Sequence, residues 1–236
     1  MPKEEKGNSY LNWKKGPDGY HHERSDAECN IDERRMIKAK YSWVTHLLKN
    51  TEFKKVIDIG CGLGFGTNLL HKAGYEVIGL DYSKQAIDIA SKRYPEIEFL
   101  TCLITEYYPD YRFDVGVAMD VLEHFENYVE ALKRMITITK DEGLLFFSTP
   151  NRRSETTNPH HVKEFNYREI KTLFPGSTIT GFRHKYVSGR LLKLVTKDEE
   201  KAISLGFKLD QLPPFSWYPY GYDMFLIHTK PKDINI

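Results

Sequence analysis

The stretch Val56-Ile57-Asp58-Ile59-Gly60-Cys61-Gly62-Leu63-Gly64 decides how the rest of the chain is read. Val56, Ile57 and Ile59 are apolar and β-branched, the composition of a central strand covered on both faces. Glycines then fall at every second position: Gly60, Gly62, Gly64 and Gly66. Glycine takes positive φ at little cost and lets a ligand approach the main chain closely. From Thr67 to Lys72 apolar and polar residues mix, and a helix is expected to open there. Strand, glycine turn and helix start together gather N–H groups and a positive dipole end at one point.

The dinucleotide fingerprint requires glycines in the order G-x-G-x-x-G. Counted from Gly60 the third glycine position is Phe65, and counted from Gly62 it is Thr67, so the fingerprint is absent. Asp58, just before the loop, is a poor neighbour for a pyrophosphate and a good one for an ammonium. The order hydrophobic-hydrophobic-acidic-x-G-x-G-x-G resembles motif I of the class I S-adenosylmethionine (SAM)-dependent methyltransferases. The resemblance implies that Asp58, Gly60, Cys61 and Gly62 hold the methionine end of SAM, with its amine and carboxylate. The plain alternative is a glycine-rich turn with no ligand.

The next strand weakens that alternative. Glu76-Val77-Ile78-Gly79-Leu80-Asp81 follows Gly74, which stands where helices commonly end. Asp81 closes this strand about 20 residues after the first glycine, the spacing at which an acid meets ribose hydroxyls. Tyr82 would flank the adenine, and Ser83 can cap the helix that Pro95 closes. A third strand is Ile97-Glu98-Phe99-Leu100. Here the sequence departs from the family. Many members place a Gly-Asp pair soon after this strand, whereas this chain has Thr101-Cys102-Leu103-Ile104. Adenine is then expected to meet backbone groups and apolar contact near Leu103.

Phe113 to Met119 reads as a fourth strand, with Met119 at the cofactor end, running into Asp120-Val121-Leu122-Glu123-His124. The helix after it carries Leu122, Phe125, Val129, Leu132 and Ile136 at helical spacing. Gly143 to Ser148 is a fifth strand, ended by Thr149-Pro150-Asn151. Asn166 and Glu169 make a capping box for a helix that Pro175-Gly176 terminates. Thr178 to Tyr186 can be a sixth strand and Tyr222 to His228 the last. Alternating strands and helices predict an α/β fold with a parallel sheet covered on both faces. The resemblance implies a Rossmann-like, seven-stranded methyltransferase sheet of order 3-2-1-4-5-7-6, the last strand antiparallel.

Two segments flank this domain reading. Residues 1–50 are read as an N-terminal arm, irregular to about residue 29, and a helix from Asn30 to Lys49. Met36, Ile37, Trp43, Val44, Leu47 and Leu48 share one stripe of that helix. In related methyltransferases such a segment covers the SAM cleft; shielding a sheet face is the equal alternative. Residues 51–236 form the SAM-binding domain, with an insertion at 187–221. The insertion holds the aromatic-proline stretch Pro213 to Tyr220 and sits where the family often builds a substrate wall.

The chemistry is expected outside the carboxyl ends of the strands, at the switch point of the sheet. Asp120, Glu123 and His124 have i, i+3, i+4 spacing, so in a helix they share one face. His160-His161-Val162-Lys163-Glu164-Phe165 follows the fifth strand after a loop. Leu-Glu-His and Thr-Pro-Asn at these places look like the ubiquinone-biosynthesis and glycan-linked methyltransferases, over roughly residues 53–175. The resemblance makes His124, His161 and Glu123 the candidate catalytic residues, with His124 or His161 taking the acceptor's proton. The His161-x-x-Glu164-Phe165 element also resembles one in small-RNA 3′-terminal 2′-O-methyltransferases, which bind a divalent metal through an E-x-x-E-H group and a later histidine. Carried onto this sequence, that ligand set is Asp120, Glu123, His124 and His161, with His160 able to replace His161. The structural alternative, a helix-start acid and a histidine tied to the next loop, is favoured over a metal.

Composition sets the remaining bounds. The chain has 236 residues and a formal net charge of +1, with no global signal for nucleic acid or an anionic membrane. Cys29, Cys61 and Cys102 have neither metal nor disulfide spacing, which fits a reducing, cytoplasmic setting. The first residues lack the apolar core of a signal peptide, and no apolar run is long enough to span a bilayer. The expected function is SAM-dependent O-methylation of a small hydroxylated molecule, a sugar or an aromatic, by direct in-line transfer, giving S-adenosylhomocysteine (SAH). Two rivals stand beside it. One is metal-assisted RNA 2′-O-methylation, favoured by the local cations Arg183, Lys185, Arg190, Lys193 and Lys197 and disfavoured by the charge balance. The other is a SAM-binding module without catalysis.

Overall fold

The computed structural model describes residues 31–152, 161–182 and 224–236. The arm, His21-His22, His160, the whole segment 183–223 with its insertion, and the five cations just named lie outside the described residues, as does Cys29.

The apolar strands form as read, with shifted ends. In chain order the elements are α1 (Ile31–Leu48), β1 (Lys55–Ile59), α2 (Phe65–Lys72), β2 (Glu76–Asp81), α3 (Lys84–Arg93), β3 (Glu98–Thr101), β4 (Phe113–Met119), α4 (Tyr128–Ile138), β5 (Thr139–Pro150), α5 (Tyr167–Leu173), β6 (Thr178–Phe182) and β7 (Met224–Thr229). They make one seven-stranded sheet of order β3-β2-β1-β4-β5-β7-β6. β1 runs parallel to both β2 and β4, and β7 runs antiparallel to β5 and β6. The expected order and the antiparallel last strand are both present.

Alternation along the strands splits the core into two layers. Ile57, Ile59, Leu145, Phe147, Phe225 and Ile227 point to one face, where Leu132 and Met135 of α4 and Ile170 of α5 cover them. Val56, Val115, Val117, Phe146 and Leu226 point to the other, against Trp43, Val44 and Leu48 of α1 and Leu70 of α2. Burying one such large apolar side chain contributes about 1.5–3 kcal/mol. The stripe on α1 therefore shields the sheet: Trp43 meets Phe146 edge-on, ring centroids 5.3 Å apart.

Two local expectations need correction. β5 begins at Thr139, not at Gly143, because the chain leaves α4 straight into pairing with Phe113 of β4, and the register then shifts between Phe113 and Val115. The helix after β4 does not start at Leu122. Residues Leu122–His124 form a separate 3-10 turn, and α4 opens only at Tyr128, where the Asn127 side chain accepts from the Glu130 N–H. The capping box of α5 is present in full, with Asn166 and Glu169 bonding each other's backbone N–H groups.

Candidate functional site

The order of the sheet reverses between β1 and β4, so their following loops part and leave a crevice at their carboxyl ends. The glycine loop fills one side. Gly60, Gly62 and Gly64 take φ of 70°, 53° and 76°, in the left-handed region that favours glycine. At Gly60 an added Cβ would also stand 2.5 Å from Val121 Cγ2. The loop is stitched to β2: the N–H groups of Gly60 and Cys61 donate to Leu80 O at 2.7 and 3.1 Å, and Gly62 N–H donates to Asp81 Oδ2 at 2.9 Å. An added Cβ on Gly62 would meet nothing within 4 Å. The outer side of the loop is thus open where a ligand would lie on its backbone.

Asp81 ends β2 as expected and faces the same crevice. Its Oδ1 accepts from Ser83 N–H at 2.9 Å while Oδ2 holds Gly62. Each carboxylate oxygen has two lone pairs, so these bonds leave capacity for ribose hydroxyls. Tyr82 and Leu103, following β2 and β3, are 40% and 38% exposed beside it, an aromatic and an aliphatic surface suited to a flat ring. Met119 and Cys61 are buried at 8% each, walls rather than donors. Burial pushes the Cys61 thiol up, aided by the Asp58 and Asp81 charges. The open glycine backbone, the acid at the end of β2 and the two exposed side chains fit the parts of SAM.

Asp58 is held by two hydroxyls of the protein. Its residue is fully buried, with Tyr41 donating to Oδ1 at 2.7 Å and Thr67 donating to Oδ2 at 2.6 Å. Through these bonds Asp58 ties α1 and α2 to β1. Burial lifts its carboxyl to about 7, against the pull of the Thr67 and Tyr41 hydroxyls. Tyr41 reaches it by crossing Gly66, where an added Cβ would stand 2.1 Å from the ring.

The other side of the crevice follows β4. Asp120 takes φ of 58°, unique to it among the described non-glycine residues. Such a conformation persists only where surroundings hold it. Its N–H is shared between Ser148 O and Oγ, its Oδ1 accepts from Ser148 Oγ at 2.6 Å, and its Oδ2 is paired with the ammonium of Lys40 on α1. Its place in the cleft raises the Asp120 carboxyl, but the Lys40 charge, the Lys40 and Ser148 hydrogen bonds and His124 hold it below the usual range. The i, i+3, i+4 face is therefore not formed, because Asp120 is left-handed and the turn after it is 3-10.

Glu123 and His124 stand instead with His161. One ligand-type atom from each lies within 4.8 Å of the others, and the histidine ring centroids are 5.1 Å apart. The distance between the loops after β4 and β5 is closed by backbone: Val162 and Lys163 N–H groups donate to Glu123 O at 2.8 and 3.1 Å. Phe165, fully buried, anchors the segment, and its carbonyl accepts from Arg152 N–H at 2.9 Å. Glu164 Oε1 bonds His161 Nδ1 at 2.7 Å. Glu123 itself is fully buried, and neither carboxylate oxygen has a hydrogen-bond partner. Burial and then the Asp120 charge push its carboxyl well above the usual range; the Thr149 hydroxyl eases this without reaching hydrogen-bond geometry.

Lys40, Tyr41, Thr67 and Ser148 were not anticipated. For Lys40 a signal existed: it precedes Trp43 and Val44 by three and four positions and so lies on the apolar stripe of α1.

Glycine loop, acid after β2 and sheet order together define a class I SAM-dependent methyltransferase. The chain belongs to the methyltransferase-domain family, whose model matches residues 32–191. A probable S-adenosylmethionine-dependent methyltransferase of Mycobacterium tuberculosis is 32% identical over 127 residues, 51% of this chain and 46% of that protein. A ubiquinone biosynthesis O-methyltransferase of Actinobacillus pleuropneumoniae is 33% identical over 109 residues, 42% of this chain and 47% of that one. The chain thus spans about half the length of the curated relatives it matches. In fold it is similar to the plantazolicin methyltransferase solved with SAH, at a TM-score of 0.58, 18% identity and 86% coverage of both chains. A SAM-dependent methyltransferase of Archaeoglobus fulgidus gives 0.56, at 21% identity, covering 80% of this chain and 94% of that one.

Proposed function

We propose that this protein transfers the methyl group of SAM to a hydroxyl of a small molecule, a sugar or an aromatic. The observation that carries the reading is the cluster of Glu123, His124 and His161 across the crevice from the glycine loop. Ubiquinone O-methyltransferase relatives at about a third identity support oxygen as the acceptor atom. SAM supplies an activated methyl on a sulfonium. Gly60 and Gly62 would bind its methionine end through backbone groups, Asp81 its ribose, and Tyr82 and Leu103 its adenine. Holding acceptor oxygen and methyl in line supplies much of the rate, up to several kcal/mol of barrier. The oxygen–carbon bond forms as the sulfur–carbon bond breaks, and the hydroxyl proton leaves to the histidine cluster. Glu164 holds His161 Nδ1 at 2.7 Å and so orients the imidazole, a side chain that can take a proton near neutral pH.

No helix among the described residues is long and apolar enough to cross a membrane. The test is SAH formation with a panel of catechols, phenols, sugars and amines. Turnover confined to hydroxyl acceptors is expected; turnover of amines alone would overturn oxygen as the reacting atom.

A further inference from the structure

α1 turns Lys40 inward, on the stripe that carries Trp43 and Val44 against the sheet, and leaves it 1% exposed. Burying an ammonium is costly unless it is paired. Replacing a buried ion pair by apolar side chains of similar size is often neutral or stabilising. Shielding the sheet therefore calls for a methionine or leucine at this position, not a lysine. The ammonium is paired with Asp120, a residue with a special backbone.

Asp120 takes φ of 58°, a conformation that a non-glycine residue keeps only where its surroundings impose it. Ser148 on β5 holds one side of it. The Asp120 N–H is shared between Ser148 O at 3.1 Å and Ser148 Oγ at 3.0 Å, and Oδ1 accepts from Ser148 Oγ at 2.6 Å. Lys40 holds Oδ2 from the opposite layer. We infer that Lys40 is a positioning residue for methyl transfer: by clamping Asp120 in its left-handed conformation, it aims the turn Val121 to His124 into the crevice. The inference rests on the methyltransferase reading above and assigns a part in it to a residue that touches neither cofactor nor acceptor.

The direction in which the chain leaves β4 is set at Asp120. The next residue, Val121, packs so closely on Gly60 that an added Cβ there would stand 2.5 Å from Val121 Cγ2. Glu123 O then takes the Val162 and Lys163 N–H groups, and the His124 ring stands 5.1 Å from that of His161. An Asp120 released to negative φ would swing this turn away from the glycine loop on one side and from His161 on the other. A misplacement of about 1 Å can cost on the order of 10²-fold in rate. The residue after Lys40 takes hold of the crevice at a second point, where Tyr41 donates to Asp58 at 2.7 Å. Consecutive residues of one helix thus fix β1 and β4, the two strands between which the crevice opens.

Glycine adopts φ near 58° without a partner, which supplies the test. The full chain, Lys40→Met, Asp120→Gly and the double variant are compared by kcat, by SAH affinity and by nuclear magnetic resonance of the His124 and His161 rings. Lys40→Met should lower kcat by about 10²-fold, leave SAH affinity within a few-fold of the native value, and shift both ring resonances. In the Asp120→Gly background the same substitution should change kcat far less, because the backbone no longer needs the clamp. If Lys40→Met does not bind SAH, Lys40→Gln, which keeps a hydrogen-bond donor, should show a smaller loss in the same direction. Native kcat in a variant that binds SAH, or ring resonances unshifted by it, overturns the inference. An equal loss of kcat in the Asp120→Gly background overturns it too, since Lys40 would then act by another route. A native chain that turns over no acceptor strikes the methyltransferase reading instead, and the ring resonances still decide the part played by Lys40.

Discussion

The ammonium of Lys40, buried on α1, is paired with the Asp120 carboxylate at the carboxyl end of β4, 80 residues away in sequence. The pair joins the covering helix to the one left-handed non-glycine residue described, directly beside the glycine loop and the histidine cluster. Lys40 is 1% exposed as a residue, while the Asp120 side chain is 37% exposed. Through this pair α1 both shields the sheet and shapes the cleft.

Lys40→Met should therefore destabilise the fold. Removing one partner of a fully buried pair costs about 3–5 kcal/mol. Solvent at the Asp120 side reduces the expectation to about 1–3 kcal/mol. Urea denaturation measures it, and adding Asp120→Asn should restore part of the loss. Additive costs in the double variant would show that the two residues do not act on one another.

Asp58 gives stability a definite dependence on pH. Its folded pKa is raised to about 7 by burial, whereas in an unfolded chain it titrates near 3.9. A raised folded value means that the contribution is complete below about pH 4 and is lost as pH rises toward about 7. The stability difference between the native chain and Asp58→Asn should change across that interval and be flat above it. Parallel curves would reject the assignment. His228, whose pKa burial lowers, acts in the opposite sense, which is why the difference and not either curve is diagnostic.

Tyr41→Phe tests the other half of this arrangement. It removes the 2.7 Å hydroxyl bond to Asp58 and leaves the ring over Gly66 in place. Hydrogen bonds to charged groups contribute about 1.5–3 kcal/mol, and a loss at the lower end is expected because the carboxyl can protonate. Gly66→Ala should cost at least as much, since the ring leaves no space for a methyl group.

Asp81→Ala should weaken SAH by about 1–3 kcal/mol, the effect of unpaired ribose hydroxyls together with a loosened Gly62. Calorimetry reads the change directly. Unaltered affinity would remove Asp81 from the cofactor site, and tight binding of NAD would contradict the class of ligand.

His124→Ala and His161→Ala should each lower kcat by about 10²–10⁴-fold and leave SAH affinity within a few-fold of the native value. A purely structural role predicts the reverse pattern, with lower thermal stability and normal turnover by the folded fraction. Steady-state kinetics alongside thermal denaturation distinguishes them.

The run from Val56 to Gly64 was legible as a buried strand and a glycine turn, because its signals are local; the sheet order came with the family resemblance that this run carries. Consecutive β-branched residues specify a strand covered on both faces, and alternating glycines specify a turn that other residues cannot adopt. The acid closing β2 and the capping box of α5 were equally legible, since each rests on spacing within a few residues. The cluster of Glu123, His124 and His161 was named from sequence, but its members come from loops after two strands. Only the parallel pairing of β4 with β5 and the backbone bonds from Val162 and Lys163 bring them together. Asp58 and Asp120 show what the sequence left open. Each carboxylate looked available in the chain, and each is claimed by a partner on another element: Tyr41 and Thr67 for Asp58, Lys40 and Ser148 for Asp120. A residue's type fixes what it can bind, whereas its occupant is selected among groups that tertiary packing delivers at hydrogen-bond distance. That selection is not local, so it becomes visible only once the sheet and its helices are assembled.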